Sequence, residues 1–219
     1  MNKGHSLVVS WAFQFLPFSD GEKLLDIGCG GGANIARLLA QYPSSVVDGV
    51  DYSQHILLSK KINADAIPKR CNIYYGNVKS LPFSDESYDG AVAVETIYFW
   101  QDIALCFQEV RRILKRERYF VIVCELSNPQ MGKIWSERCE KMTVYKPEKV
   151  KKLLLGAGFC DVEIYTKGIW SVVIAKKYND WWKDMQLLIM GMKTKSSHEI
   201  LSSILVLTKS KMLSWKAGK

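Results

Sequence analysis

No stretch of about 18 uncharged apolar residues occurs in the 219-residue sequence, so no membrane-spanning helix is expected. The N-terminus has one early lysine but neither a long apolar core nor a small-residue cleavage pattern. No signal peptide is read there, and the expected location is cytoplasmic. The cysteines Cys29, Cys71, Cys106, Cys124, Cys139 and Cys160 are scattered and include no C-x-x-C pair. That spacing argues against a disulfide framework or a zinc site, so no metal is expected, and these residues read as small buried hydrophobes. Acids are in deficit, with 22 Asp and Glu against 30 Lys and Arg, a net charge of +8. A basic surplus raises nucleic acid as a partner. The bases are spread out, however. Arg111, Arg112, Lys115, Arg116 and Arg118 surround one helix end, where they complement its dipole, and Lys149, Lys151 and Lys152 fall on the solvated face of another helix. Nucleic-acid binding is therefore disfavoured.

What the chain does have is a burst of glycines after an apolar run. Residues 24–32 read Leu-Leu-Asp-Ile-Gly-Cys-Gly-Gly-Gly, and a helical pattern follows. This predicts a buried strand, a tight turn and a helix over residues 32–42. Glycines let the backbone approach a ligand closely, and free N–H groups at a helix start attract negative charge. The next strand, residues 45–51, ends in Asp51, placed to accept hydrogen bonds from ribose hydroxyls. Together these form a nucleoside-binding half of a doubly wound α/β fold. Two cofactors compete for it. Gly28, Gly30, Ala33 and Asp51 fit a dinucleotide fingerprint, which favours NAD. Asp26 lies two residues before Gly28, where its carboxylate would repel a pyrophosphate and attract an ammonium. S-adenosylmethionine (SAM) has a ribose, an α-amino group and no phosphate, and suits both acids better.

Several stretches carry a resemblance. Residues 24–32, 49–53 (GVDYS), 76–83 (GNVKSLPF), 87–95 (SYDGAVAVE), 109–114 (EVRRIL) and 155–164 (LGAGFCDVEI) run in the order and spacing of the class I SAM-dependent methyltransferases. The chain most resembles the small stand-alone bacterial and archaeal kind, over residues 20–176. The resemblance implies a Rossmann-like, doubly wound, seven-stranded sheet, mostly parallel with an antiparallel last strand. It implies a methyltransferase domain over 1–177, in which residues 1–18 form an N-terminal helix or lid, and leaves 178–219 as a helical C-terminal extension. The implied cofactor residues are Trp11, Asp26, Gly28, Cys29, Gly30, Asp51, Tyr52, Asn77, Val78, Glu95 and Thr96. Tyr52 would lie against the adenine and Val78 would offer its N–H to an adenine nitrogen. Asn77 stands where the family usually has Asp, and its amide oxygen can still accept from the adenine amino group. His5, Tyr98, Trp100, Trp135 and Tyr145 are expected around the methyl acceptor, with core packing the competing reading for each aromatic.

The remaining pattern fills in the fold. Residues 5–16 read as an apolar helix stopped by Pro17, and Ser53 is expected to cap a helix running to Ile67. Strands are expected over 72–76, 91–95, 119–125, 162–165 and 169–175, with helices over 103–114 and 147–157. Relatives join the helix at 103–114 to the next strand by a Pro-Gly-Gly turn; here residues 115–118 read Lys-Arg-Glu-Arg, which implies a longer helix or a looser turn. Met131, Ile134, Trp135 and Met142 have helical spacing in the stretch where the family builds its substrate lid. Residues 178–219 hold seven lysines against three acids together with apolar runs, compatible with packing on the domain, a homodimer contact or a membrane surface.

No motif assigns a catalytic base; His5, Tyr98 and Glu125 are the candidate proton acceptors. The absence of an Asn-Pro-Pro-Tyr sequence after residues 91–95 disfavours the amino-methylating nucleic-acid and glutamine enzymes. The expected function is SAM-dependent methyl transfer to a small, partly apolar molecule. The rivals are a SAM-binding protein without turnover and an NAD-linked oxidoreductase.

Overall fold

The computed structural model describes residues 6–139 and 142–178. Helix α1 (Ser6–Ala12) and a 3-10 turn (Phe13–Phe15) precede the first strand. There follow β1 (Lys23–Ile27), α2 (Ala33–Gln41), β2 (Val46–Asp51), α3 (Ile56–Ile62), β3 (Ile73–Tyr75), β4 (Tyr88–Val94) and α4 (Ile103–Ile113). The chain continues with β5 (Leu114–Cys124), α5 (Pro129–Arg138), α6 (Pro147–Gly156), β6 (Phe159–Lys167) and β7 (Trp170–Lys177). The seven strands form one sheet in the order β3-β2-β1-β4-β5-β7-β6. Strands β1 to β5 pair in parallel, and β7 lies antiparallel between β5 and β6, as the resemblance implied. The strand order reverses between β1 and β4, which makes the crevice at their C-terminal ends the topological switch point.

Alternation along the strands sends side chains to two buried faces. Leu24, Val47, Val92, Val121 and Val172 face α1 and α2, which contribute Val8, Val9, Ala12, Ile35 and Leu38. Leu25, Ala91, Phe120, Ile122 and Val173 face α4 and α6, which contribute Cys106, Phe107, Val110, Val150 and Leu154. Cys29, Cys71, Cys106 and Cys124 are buried free thiols.

Two elements, α3 and β5, correct the sequence reading. Helix α3 starts at Ile56, and Ser53 does not cap it; its backbone N–H is given to Asp51 Oδ1 at 2.8 Å. The helix also stops at Ile62 and gives way to a 3-10 turn (Ala64–Ala66) well before Pro68. Strand β5 begins at Leu114, directly after α4, so residues 115–118 are neither helix nor turn. Leu114 pairs with Tyr88, and Glu117 takes a left-handed backbone (φ 60°) that re-aims the strand. The bases there are held by acids: Lys115 by Asp89 at 2.9 Å, Arg116 by Glu86 at 3.1 Å and Arg118 by Glu22 at 2.6 Å. Arg112 is likewise held by Glu109 and Asp85, each at 2.7 Å, so this basic cluster is spent within the fold.

Among the described residues no helix is long and apolar enough to cross a membrane. The expected helices of the C-terminal extension fall on residues 179–219, outside the described residues.

Candidate active site

The glycine loop is bent into its shape by backbone that only glycine adopts freely. Gly28, Gly30 and Gly32 have φ of 77°, 49° and 79°. The N–H groups of Gly28 and Cys29 both donate to the carbonyl of Val50, at 2.8 and 3.2 Å, tying the loop to the end of β2. Gly30 N–H donates to Asp51 Oδ2 at 2.8 Å, and Ser53 N–H holds the other oxygen at 2.8 Å. Asp51 is thus aimed by one amide from the loop and one from just past its own strand end. A carboxylate has about four lone-pair positions, so two remain for hydroxyl donors.

Asp26 ends up 1% exposed at the end of β1. Its Oδ2 is buried without a hydrogen-bond partner among the described residues. Burial, reinforced by the charge of Asp51, pushes its carboxyl up to about 7. A buried polar atom left unsatisfied is costly, and such groups mark places where a ligand supplies the partner. In the same glycine loop, a Cβ on Gly30 would meet no atom of the described residues within 4 Å. The donor set therefore fits SAM: an unpartnered carboxylate for its ammonium, an aimed carboxylate for its ribose, and a glycine backbone between them. Two clustered acids do not fit a pyrophosphate.

The β4 side of the crevice is stiff. Glu95 follows β4 in a left-handed conformation (φ 57°), and its Oε1 accepts from Glu125 N–H and from the Tyr98 hydroxyl. The Tyr98 oxygen in turn accepts from Leu126 N–H at 3.0 Å, so one carboxylate and one phenol tie the ends of β4 and β5 together. Burial pushes the Tyr98 hydroxyl far above its ordinary range, which removes it as a proton acceptor. Thr96 Oγ1 accepts from Trp100 Nε1 at 3.3 Å and lies over Gly28.

The structure brings Asp26, Gly28, Gly30, Asp51, Glu95 and Thr96 to this one crevice, while Cys29 is buried with its thiol turned toward Ser59 of α3. Tyr52, directly after Asp51, is exposed. Asn77 is exposed and its Oδ1 accepts from Lys79 N–H at 2.9 Å, leaving a single lone pair, while Val78 packs against the core. Trp11 is half-buried, with its ring centroid 6.1 Å from that of Trp170 at the start of β7. The expectation that Tyr98 and Trp100, which flank Phe99, face the acceptor is corrected. Residues 97–99 form a 3-10 turn that drives Tyr98 inward, and Trp100 follows it into the core against Phe107 and Phe120. Phe99 is the ring of the three that stays exposed, at 44%. Trp135 is exposed on α5 and Tyr145 is half-buried against the core. His5 lies outside the described residues.

The sequence reading missed Ser59 and Asn63, which lie behind the loop on α3 and at its end. Their spacing of four residues was the one available signal.

The family model described as "Methyltransferase domain" matches residues 25–122, from β1 through most of β5. The chain carries a class I SAM-dependent methyltransferase domain. This domain is similar to cycloartenol-C-24-methyltransferase of Arabidopsis thaliana, with 33% identity over 177 residues, covering 78% of this chain and 48% of that protein. Its fold matches a chain of the complex between the Haloferax volcanii Trm112 methyltransferase activator and a methyltransferase, with a TM-score of 0.69 at 18% identity, covering 81% of this chain and 94% of that one. It also matches geranyl diphosphate C-methyltransferase from Streptomyces coelicolor, solved with S-adenosylhomocysteine, with a TM-score of 0.68 at 15% identity, covering 80% of each chain. The chain spans about half or less of the length of the curated relatives it matches first.

Proposed function

We propose that this chain transfers the methyl group of SAM to a small, partly apolar acceptor. The observation that carries the reading is the pair of acids at one glycine loop: Asp26 with an unpartnered buried oxygen, and Asp51 aimed by two amides. When bound, SAM supplies a methyl carbon that passes to an electron pair of the acceptor, a heteroatom lone pair or a C=C π pair, as its bond to sulfur breaks and that bond's electrons stay on sulfur. The protein's residues have to bind and align. Asp51 takes the ribose hydroxyls, and Asp26 takes the ammonium. Tyr52 and Val78 flank the adenine, with Asn77 accepting from its amino group. The Glu95–Tyr98 tie keeps the β4 rim fixed, which is what an in-line displacement requires. If the acceptor must lose a proton, Glu125 at the end of β5 is the carboxylate at hand.

Exposed Phe99, with Met131, Ile134 and Trp135 on α5 after β5, supports an acceptor with apolar surface. The names of two similar proteins point the same way, one acting on cycloartenol and one solved with geranyl diphosphate. The test is transfer of labelled methyl from SAM to a panel of sterols, prenyl diphosphates, fatty acids and phenols. Label in an apolar acceptor supports the proposal. Tight SAM binding with label in none of the panel overturns the acceptor class and favours a SAM-binding protein without turnover.

A further inference from the structure

Behind the glycine loop, on the side away from the crevice, lies a polar clamp that none of the recognised motifs contains. Asn63 follows α3 and is 4% exposed. Its Nδ2 donates to the carbonyl of Gly32 at 3.1 Å and to the carbonyl of Ser59 at 3.0 Å. Ser59, fully buried one turn earlier, places its Oγ 4.0 Å from Cys29 Sγ. The fit is tight on both residues: a Cβ on Gly32 would lie 2.3 Å from Ser59 Oγ and 2.6 Å from Asn63 Nδ2.

The Gly32 carbonyl is shared. It also accepts Ala36 N–H at 3.2 Å, the bond that opens α2. Gly32 N–H donates to Cys29 O at 2.8 Å, closing the loop on itself. One amide therefore fixes the plane of the peptide at which loop becomes helix. That plane sets the Ala33 N–H directly and anchors the C-terminal end of the loop whose Gly30 N–H aims Asp51. An apolar side chain could fill a buried helix interface. Burying an amide there is justified energetically only by the bonds it makes.

We propose that Asn63 is a positioning residue for the cofactor loop, acting on SAM through the Gly32 carbonyl. The proposal rests on the SAM reading above. It differs from a purely structural role in that loosening the clamp misaims a loop in molecules that remain folded. The geometry also supplies a conservative rescue. Asn63 borders an open groove of about 450 Å³ that Ala36, Leu39, Ala40 and Ile62 also line, so a glutamine has room to extend and donate to the same carbonyls.

The experiment compares wild type, Asn63→Ala, Asn63→Asp and Asn63→Gln, with Tyr88→Phe as a destabilised control distant from the loop. Asn63→Asp keeps the shape but removes the donor. Two readouts are taken well below each unfolding midpoint: SAM affinity by calorimetry, and amide hydrogen exchange of residues 30–35 in the ligand-free protein. Loss of one net hydrogen bond to the loop is expected to weaken SAM about tenfold in Asn63→Ala, and at least as much in Asn63→Asp. Exchange in the loop should speed up in both. Asn63→Gln should recover most of each change, and Tyr88→Phe should change neither. Unchanged affinity, or unchanged loop exchange, in Asn63→Ala and Asn63→Asp overturns the proposal even if both unfold at lower temperature. A wild type that takes no SAM overturns the cofactor reading instead, and the clamp still stands or falls on the exchange data.

Discussion

Gly28 and Thr96 meet across the switch-point crevice: a Cβ on Gly28 would lie 2.1 Å from Thr96 Oγ1. Gly30, two residues on, faces open space. Both have positive φ, so alanine is strained at either, by about 1 kcal/mol or more. The clash adds to that strain at Gly28 alone. Gly28→Ala is expected to lower the unfolding midpoint more than Gly30→Ala, while both abolish SAM binding, the second by filling the ligand's side of the loop. Thermal unfolding and calorimetry on the two variants check this.

Asp26 sets a pH dependence. Its folded value of about 7 lies above the ordinary 3.8, so between those values the folded state holds a proton that the unfolded chain has released. Stability therefore falls as pH rises through that window, by about 1.4 kcal/mol for each pH step of one, and levels off above it. Asn in its place cannot ionise. Asp26→Asn should gain stability relative to wild type as pH rises through the same window, the gain levelling off near the folded value of about 7. Denaturant unfolding across that pH range checks the sign. SAM binding should show the opposite trend. The ammonium favours the ionised carboxylate, so wild-type affinity should weaken as pH falls below about 7, and Asp26→Asn should bind weakly with that dependence gone.

Asp48 anchors the other end of the strands. This buried carboxylate accepts from the Tyr88 hydroxyl at 3.0 Å and from Asn72 N–H at 2.9 Å. Tyr88→Phe removes the hydrogen bond to Oδ2 and leaves that oxygen only the Lys23 ammonium at 3.7 Å, a loss of about 1–3 kcal/mol. Denaturant unfolding should register it, with SAM affinity unchanged.

Trp11 tests the lid. Its ring packs against Phe15 and Trp170, centroids 5.3 and 6.1 Å away, at the edge of the α1 face. Trp11→Ala should weaken SAM binding and leave the fold's circular dichroism intact. Unchanged affinity removes this residue from the pocket.

The parts of this fold that were legible in the sequence are those written in local pattern. The run 24–32 announces strand, loop and helix together, and Asp51 follows at the end of the next apolar run. What stayed hidden depends on partners distant in the chain. Nothing near Leu114 says that it pairs with Tyr88, or that Asp89 and Glu22 wait for Lys115 and Arg118. Tyr98 and Trp100 read as rim residues because they follow a strand end, but a 3-10 turn inverts which ring faces out. The roles of Ser59 and Asn63 emerge only when the glycine loop is laid against α3.

The most direct test of the cofactor reading is calorimetric titration of the purified protein with SAM and with NAD, wild type beside Asp51→Ala. The expected result is tight binding of SAM, no binding of NAD and loss of the SAM signal in the variant, because the aimed carboxylate at the end of β2 is gone. A folded wild type that ignores SAM, or an Asp51→Ala protein that binds it as well as wild type, would contradict the site described above.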